Sequence, residues 1–357
     1  MTTHYQITPL EQLGDIETKQ VLKATAKAHQ ALGELKGLAV TLPNQYLLLA
    51  TLSLQEAKES SEIENIITTQ DDLYRSHYPS QQFTSHSAKE VHSYAKALEM
   101  GYETVKKTGL LTNNTIIEIQ RIIENNDAGF RKQGGTKLRN QQTQEVVYTP
   151  PQTADEIVEL MSELEAFINN DELSDYDDLV KMALIHHQFE SIHPFYDGNG
   201  RTGRIVNILF LSKQNLLGTP ILYLSRYLNR NKAEYYQLLQ QVRDTNNWQP
   251  WLLYMLRALQ VTSQDTLKTI KAIMALMQKH KQIIKTQLPK LYSHELINNL
   301  FIHPYTKVEF LVSELGVHRN TASKYLNQLV EIGVLTKHKL GKDNYYLNTE
   351  LFNLFAS

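Results

Sequence analysis

Residues 193–204 read His193-Pro194-Phe195-Tyr196-Asp197-Gly198-Asn199-Gly200-Arg201-Thr202-Gly203-Arg204. Upstream, Leu179, Met182, Ala183, His186 and Phe189 recur at three- and four-residue steps, which predicts one face of a helix. Pro194 disfavours the α conformation at His193, so the imidazole is expected where that helix stops. Asp197-Gly198 and Asn199-Gly200 are turn pairs whose glycines permit positive φ, letting backbone N–H groups face inward as an anion nest. A second apolar helix is predicted from Arg201 or Thr202, carrying Ile205, Ile208, Leu209 and Leu211. Its unpaired N–H groups and positive dipole end point at the same place. Arg201 and Arg204, one turn apart, add two fork-shaped cationic donors. The string therefore predicts helix, phosphate-binding loop, helix.

Chemistry follows from the same residues. An imidazole beside a phosphate cradle can take the proton of an attacking hydroxyl at neutral pH, which makes His193 the candidate base. Asp197 supplies a hard oxygen suited to Mg²⁺ held mostly by water and phosphate. The Asn199 amide can donate to an oxygen on the reacting phosphorus. Taken singly, a helix-end histidine is most often a cap and an Asn-Gly a plain turn; their combination within twelve residues is what carries weight.

Around this centre the chain reads as mainly helical. Helices are predicted over Ala154 to Asn169, Lys232 to Thr245, Trp248 to Val261 and Ser263 to Lys285. Lys137 to Tyr148 is the exception, a β-prone stretch running into Pro150-Pro151 and predicted to be a small hairpin. With 357 residues, two or three packed units are expected. We place their limits at 1–100, 101–280 and 281–357. The net charge of −2 gives no global reason to bind polyanions. Cysteine is absent, which excludes disulfides, thiolate metal sites and cysteine nucleophiles and fits a reducing compartment. No apolar run approaches the roughly 20 residues that span a bilayer, so a soluble, cytoplasmic protein without a membrane partner is expected.

The string 193–204 matches at every specified position the signature of the Fic family, His-x-Phe-x-(Asp/Glu)-Gly-Asn-Gly-Arg-x-x-Arg. The resemblance implies a Fic-type helical bundle that uses ATP and Mg²⁺ to place AMP on Ser, Thr or Tyr hydroxyls of target proteins, the chain itself among them. It implies His193 as base and Asp197 as metal ligand. Gly198, Asn199, Gly200 and Arg201, continuing into Thr202 and Gly203, would hold the α- and β-phosphates and Arg204 the γ-phosphate, with Phe195 packed inward. Ser60-Ser61-Glu62-Ile63-Glu64-Asn65 resembles the family's inhibitory motif, (Ser/Thr)-x-x-x-Glu-(Gly/Asn), on Ser60, Glu64 and Asn65. Glu64 would then pair with Arg204 in the space of the γ-phosphate. Ser61 and Glu64 also fit a capping box.

By the same resemblance, residues 137–148 form a flap whose Thr143, Glu145, Val146 and Val147 accept an extended target segment by strand addition, a purely structural hairpin being the alternative. Tyr235 would lie beside adenine, although tyrosines at helical spacing are more often core. His186 and His187 lack a second ligand at suitable spacing and are read as packing residues. Some relatives remove AMP or transfer from other nucleotide compounds, so both chemistries stay open.

From Tyr305 onward the pattern predicts helix over Thr306 to Leu315, a turn at Gly316-Val317, helix over Arg319 to Ile332, then two strands around Gly341-Lys342-Asp343-Asn344. That is the form of a winged helix-turn-helix, a small α+β unit. Arg319, Asn320, Ser323, Lys324 and Gln328 would be exposed on its second helix, types that reach base edges or phosphates. Residues 281–357 hold nine Lys/Arg against six Asp/Glu, only mildly basic. DNA, another protein and a second copy of the chain are all partners this form can serve, and a DNA-binding regulator with a nucleotide-sensing Fic domain is the competing reading.

Overall fold

The computed structural model describes residues 5–41, 45–76, 83, 85–139, 143–340 and 343–356. Its centre is an antiparallel pair of helices, α7 (Asp178–Ile192) and α8 (Asn199–Lys213). Every α7 residue from Leu179 to Ile192 is buried, as expected of a helix walled in on all sides rather than amphipathic. Asp177 starts it by accepting a hydrogen bond from Leu179 N. Around the pair stand α1 (Lys19–Val40), α2 (Gln45–Ile63), α3 (Gln70–Arg75), α4 (His86–Thr108), α5 (Asn113–Glu124), α6 (Ala154–Asn169), α9 (Leu224–Arg230) and α10 (Lys232–Thr245). The α6 and α10 bounds agree with the sequence prediction.

Helix α11 (Gln249–Gln287) is a correction: one continuous 39-residue helix stands where two were predicted. Val261-Thr262-Ser263 reads as polar punctuation, but the Thr262 hydroxyl donates to Ala258 O inside the helix and α1 packs along its length. The helix also runs through the limit placed at residue 280. The hairpin pairs β1 (Leu138–Arg139) with β2 (Val146–Tyr148) antiparallel. Its turn at Gln141-Gln142 lies outside the described residues.

The last segment comprises α12 (His294–Ile302), β3 (Tyr305–Thr306), α13 (Val308–Leu315), α14 (Arg319–Glu331), β4 (Thr336–Leu340), β5 (Asp343–Leu347) and α15 (Thr349–Ala356). The strands form an antiparallel sheet in the order β3-β5-β4. This is compatible with a winged helix, with Gly341 and Lys342 outside the described residues. Gly316 ends α13 at φ 66, the left-handed cap that glycine adopts without strain. Thr306 is strand rather than helix, a correction, and its side chain donates to Asn299 Oδ1. Arg319 is paired with Glu309 at 3.3 Å. The unit docks on α3: Gln70 Nε2 donates to Phe355 O and Tyr74 packs on Phe355. Among the described residues no helix is long and apolar enough to cross a membrane.

Candidate active site

Helix α7 ends at His193, whose N–H still donates to Phe189 O while its backbone turns left-handed, φ 50 and ψ 59. The sequence placed His193 off the helix, and so it is, but in a strained conformation rather than the extended one a following proline favours. Phe195 is fully buried against Phe130 and Phe189 and pins the loop from inside. Gly198 takes φ 79, which a side chain would strain. Helix α8 begins at Asn199, two or three residues earlier than the predicted Arg201 or Thr202, and its first backbone bond is Thr202 N to Gly198 O. The N–H groups of Asn199, Gly200 and Arg201 therefore lack intrahelical acceptors and face the loop.

Gly200 lies inside this first turn with ordinary φ, so the expectation of positive φ is corrected; what it provides is closeness. A Cβ there would stand 2.2 Å from Glu64 Oε1 and 2.9 Å from Arg204 Nη1. The end of α2 thus lies directly on the first turn of α8. Arg204, 1% exposed, donates from Nε to Ser60 Oγ at 2.7 Å, and from Nη2 to Ser60 O at 2.9 Å and Glu64 Oε1 at 2.8 Å. Burial would push the Glu64 carboxyl up, but the charge and hydrogen bond of Arg204 outweigh it and hold the group below the usual carboxylate range. Asn65 turns left-handed at φ 62 and accepts from Lys232 Nζ at 3.3 Å. Ser61 stands inside α2, its carbonyl accepting from Glu64 N and Ile66 N, so the capping-box reading is not realised.

Two loop residues are otherwise engaged than the sequence suggested. Asn199 Oδ1 accepts from Phe195 N at 2.8 Å and its Nδ2 donates to Phe195 O at 2.9 Å, so the amide braces the loop. Arg201 is gripped by Glu124 at 2.5 Å and Glu90 at 3.1 Å. These carboxylates, from α5 and α4, carried no signal in the sequence. Thr202 is buried, its Oγ1 without a hydrogen-bond partner among the described residues, and Gly203 lies against Phe189 on the packing side of α8. Asp197 is exposed, and one carboxylate oxygen accepts from Gly198 N at 2.7 Å.

His193 is partly exposed, but its Nδ1 is enclosed, which leaves Nε2 as the nitrogen able to meet a substrate. Burial, then the guanidinium charges of Arg131 and Arg243, push the imidazole down to about 4, with Glu64 acting the other way. The ring is therefore neutral at physiological pH. Glu190, a turn earlier on α7, is pushed up to about 7, by burial first, with Glu64 adding and Arg204 and Arg243 opposing. Its Oε1 is buried without a hydrogen-bond partner among the described residues.

Tyr235 is corrected: it is 1% exposed and its hydroxyl meets His186 Nε2 at 2.8 Å, with Trp251 beside both rings. It belongs to the core, as does His187, whose Nε2 meets Leu239 O at 3.1 Å. Tyr235→Phe is expected to cost about 1–2 kcal/mol in denaturant unfolding, the cost of leaving His186 Nε2 without its partner while Nδ1 keeps Asn207, without changing nucleotide affinity. Tyr236, next along α10, keeps its ring 44% exposed. On the hairpin, Thr143 and Glu145 are exposed and joined by a 3.2 Å hydroxyl–carboxylate bond; Val146 is half-buried and Val147 exposed. Tyr148 anchors the strand: its hydroxyl donates to Ser191 O at 3.0 Å and the Arg243 guanidinium lies 4.0 Å over its ring.

Comparison with known proteins bears on the family and the fold. Residues 110–211 match the Fic/DOC family, residues 22–103 the Fic/DOC family N-terminal region, and residues 276–351 the C-terminal domain of SoFic-like protein adenylyltransferases. A protein adenylyltransferase Fic of Aedes aegypti is 26% identical over 140 residues, 39% of this chain and 26% of that protein. A probable protein adenylyltransferase of Aquifex aeolicus is 38% identical over 68 residues, 19% of each chain. The chain thus spans only a minor part of the curated relatives' length. Among solved structures, a Fic family protein from Desulfovibrio desulfuricans G20 superposes with TM-score 0.57 at 22% identity, covering 97% of this chain and 98% of that one. Fic-1 of C. elegans (residues 134–508) gives 0.54 at 19%, covering 71% and 75%. The two Fic/DOC matches together take in more than half of the chain, and on these grounds, with the signature loop at the junction of α7 and α8, the chain belongs to the Fic/DOC family.

Proposed function

We propose that the chain is a protein adenylyltransferase that moves AMP from ATP to Ser, Thr or Tyr hydroxyls, held in check by its own Glu64. The observation that carries this reading is the anion already in place: a carboxylate rests on Arg204 Nη2 and against the first turn of α8, near enough to His193 to act on its charge. A site that holds one anion there suits the terminal phosphates of a nucleotide. While Glu64 occupies the fork, a γ-phosphate is excluded from it.

In the transfer, His193 Nε2 accepts the hydroxyl proton as the oxygen bonds to the α-phosphorus; the bond from that phosphorus to the bridging oxygen breaks and pyrophosphate leaves. The N–H groups at the start of α8, with Arg201 and Arg204, offset charge on the phosphates. Arg201 must be shared with, or released by, Glu90 and Glu124 to do so. Asp197 fits a Mg²⁺ ion arriving with the nucleotide, since it is exposed and oxygen-bearing. Such an ion would supply charge neutralisation of the leaving pyrophosphate. Val146 and Val147 offer the strand edge to a target, and Tyr236 is the α10 ring left open to a base.

The decisive test gives the Glu64→Gly chain ATP labelled at either the α- or the γ-phosphate, with magnesium. Protein labelled from the α position alone is the expected result. Label from the γ position alone would make the enzyme a phosphoryl transferase, and failure to bind nucleotide at all would remove the reading.

A further inference from the structure

Arg131 lies in the loop between α5 and β1, and no periodicity or motif in the sequence marks it. It is fully buried, and its partners among the described residues are backbone carbonyls. Its own N–H donates to Pro194 O at 2.8 Å, its Nε to His193 O at 2.8 Å, and its Nη2 to both Ile192 O at 3.3 Å and Pro151 O. Three consecutive carbonyls, those of residues 192, 193 and 194, are thus fixed by one side chain and its backbone. The fourth belongs to the segment that leads out of the hairpin.

We propose that Arg131 is a positioning residue for the transfer, holding the backbone of His193 in its left-handed conformation and tying the foot of the hairpin to the same segment. A non-glycine residue at φ 50 and ψ 59 persists only where its surroundings over-determine it. Here the peptide planes on both sides of His193 accept from the same guanidinium. The direction of the imidazole follows from those planes. The distance from base to acceptor hydroxyl follows from the hairpin, whose other anchor is Tyr148 on Ser191 O. A misplacement of about 1 Å at such a point costs on the order of 10²-fold in rate.

Arg131 also acts through its charge. The charged groups acting on the imidazole are Arg131, Arg243 from α10 and Glu64 from α2; the first two disfavour the protonated ring and the third favours it. Removing the Arg131 charge must raise the imidazole's pKa, so more of the base is protonated in mild acid.

The inference rests on the function proposed above, and the test keeps the two apart. In the Glu64→Gly background, Arg131→Gln is expected to lower kcat for AMP transfer about 10²-fold while affinity for ATP, measured by calorimetry, is unchanged. The His193 imidazole titration, followed by NMR, moves upward in the same protein. Arg131→Lys, which keeps the charge but not the fork, restores the titration and part of the rate. An unchanged titration with Arg131→Gln, or a rate loss matched by lost ATP affinity and not relieved by lysine, overturns the proposal and leaves Arg131 a folding residue. If the Glu64→Gly parent transfers no AMP, the functional reading fails, and the titration alone still decides whether Arg131 sets the state of His193.

Discussion

Replacing Glu64 by glycine is expected to raise AMP labelling about 10- to 100-fold over the native chain, on the scale of a charge-assisted hydrogen bond worth about 1.5–3 kcal/mol. The gain comes from what the substitution frees. Arg204 keeps both bonds to Ser60 and so stays in position, losing only the partner that competes with phosphate. Glu64 is also the more solvent-open member of the pair, its side chain 32% exposed against 1% for Arg204, so removing it leaves little unfilled volume. Folding stability should fall as well, because the buried guanidinium loses its carboxylate partner. Glu64→Gln, which keeps the shape and surrenders the charge, should fall between the two proteins. Equal labelling in all three, at saturating ATP and magnesium, would mean that the carboxylate on Arg204 restrains nothing.

Replacing His193 by alanine in the Glu64→Gly chain should reduce labelling about 10²- to 10⁴-fold, the span of a positioned general base. Affinity for ATP should survive, because the groups proposed to hold the phosphates stand on α8, whereas the imidazole belongs to the end of α7. The pH profile of the parent provides a second readout. Burial and two guanidinium charges push His193 down to about 4 even with Glu64 acting upward, so in the chain without Glu64 the base remains competent through the physiological range and activity falls only at or below that value. A profile with its acid limb in the ordinary imidazole range would show that substrate binding reopens the ring to solvent. Unimpaired labelling by the alanine protein would assign proton removal to another group, and the enclosed carboxyl of Glu190 is the nearest alternative on α7.

Several elements were legible because their causes lie within one or two turns of chain. The sequence prediction of α6 and α10 rests on periodicity and polar punctuation, and both bounds agree with the structure. The break at His193 follows from Pro194, and the left-handed Gly198 from the glycine itself. The long helix α11 was misread as two, because Val261-Thr262-Ser263 resembles punctuation when the lateral support of α1 is unseen. Tyr235 was misplaced for a related reason. Its neighbours along the helix do not reveal that His186, 49 residues away, waits for its hydroxyl.

By itself, then, the chain's sequence determined a helix that stops at an imidazole, a glycine-bearing bend, and a helix whose first two turns offer N–H groups and two arginines, since each is set by backbone sterics and side-chain type at short range. Which groups those arginines meet was decided by the tertiary structure, the Glu64–Arg204 pair alone being expected beforehand, from the resemblance of residues 60–65 to the inhibitory motif. Glu64 reaches Arg204 across 140 residues, Glu90 and Glu124 reach Arg201 across 111 and 77, and Arg131 reaches the His193 carbonyl across 62. Those pairings come from the packing of α2, α4 and the end of α5 against the central pair, and burial then turns each into a strong constraint, because an arginine withdrawn from water must find its hydrogen bonds within the protein.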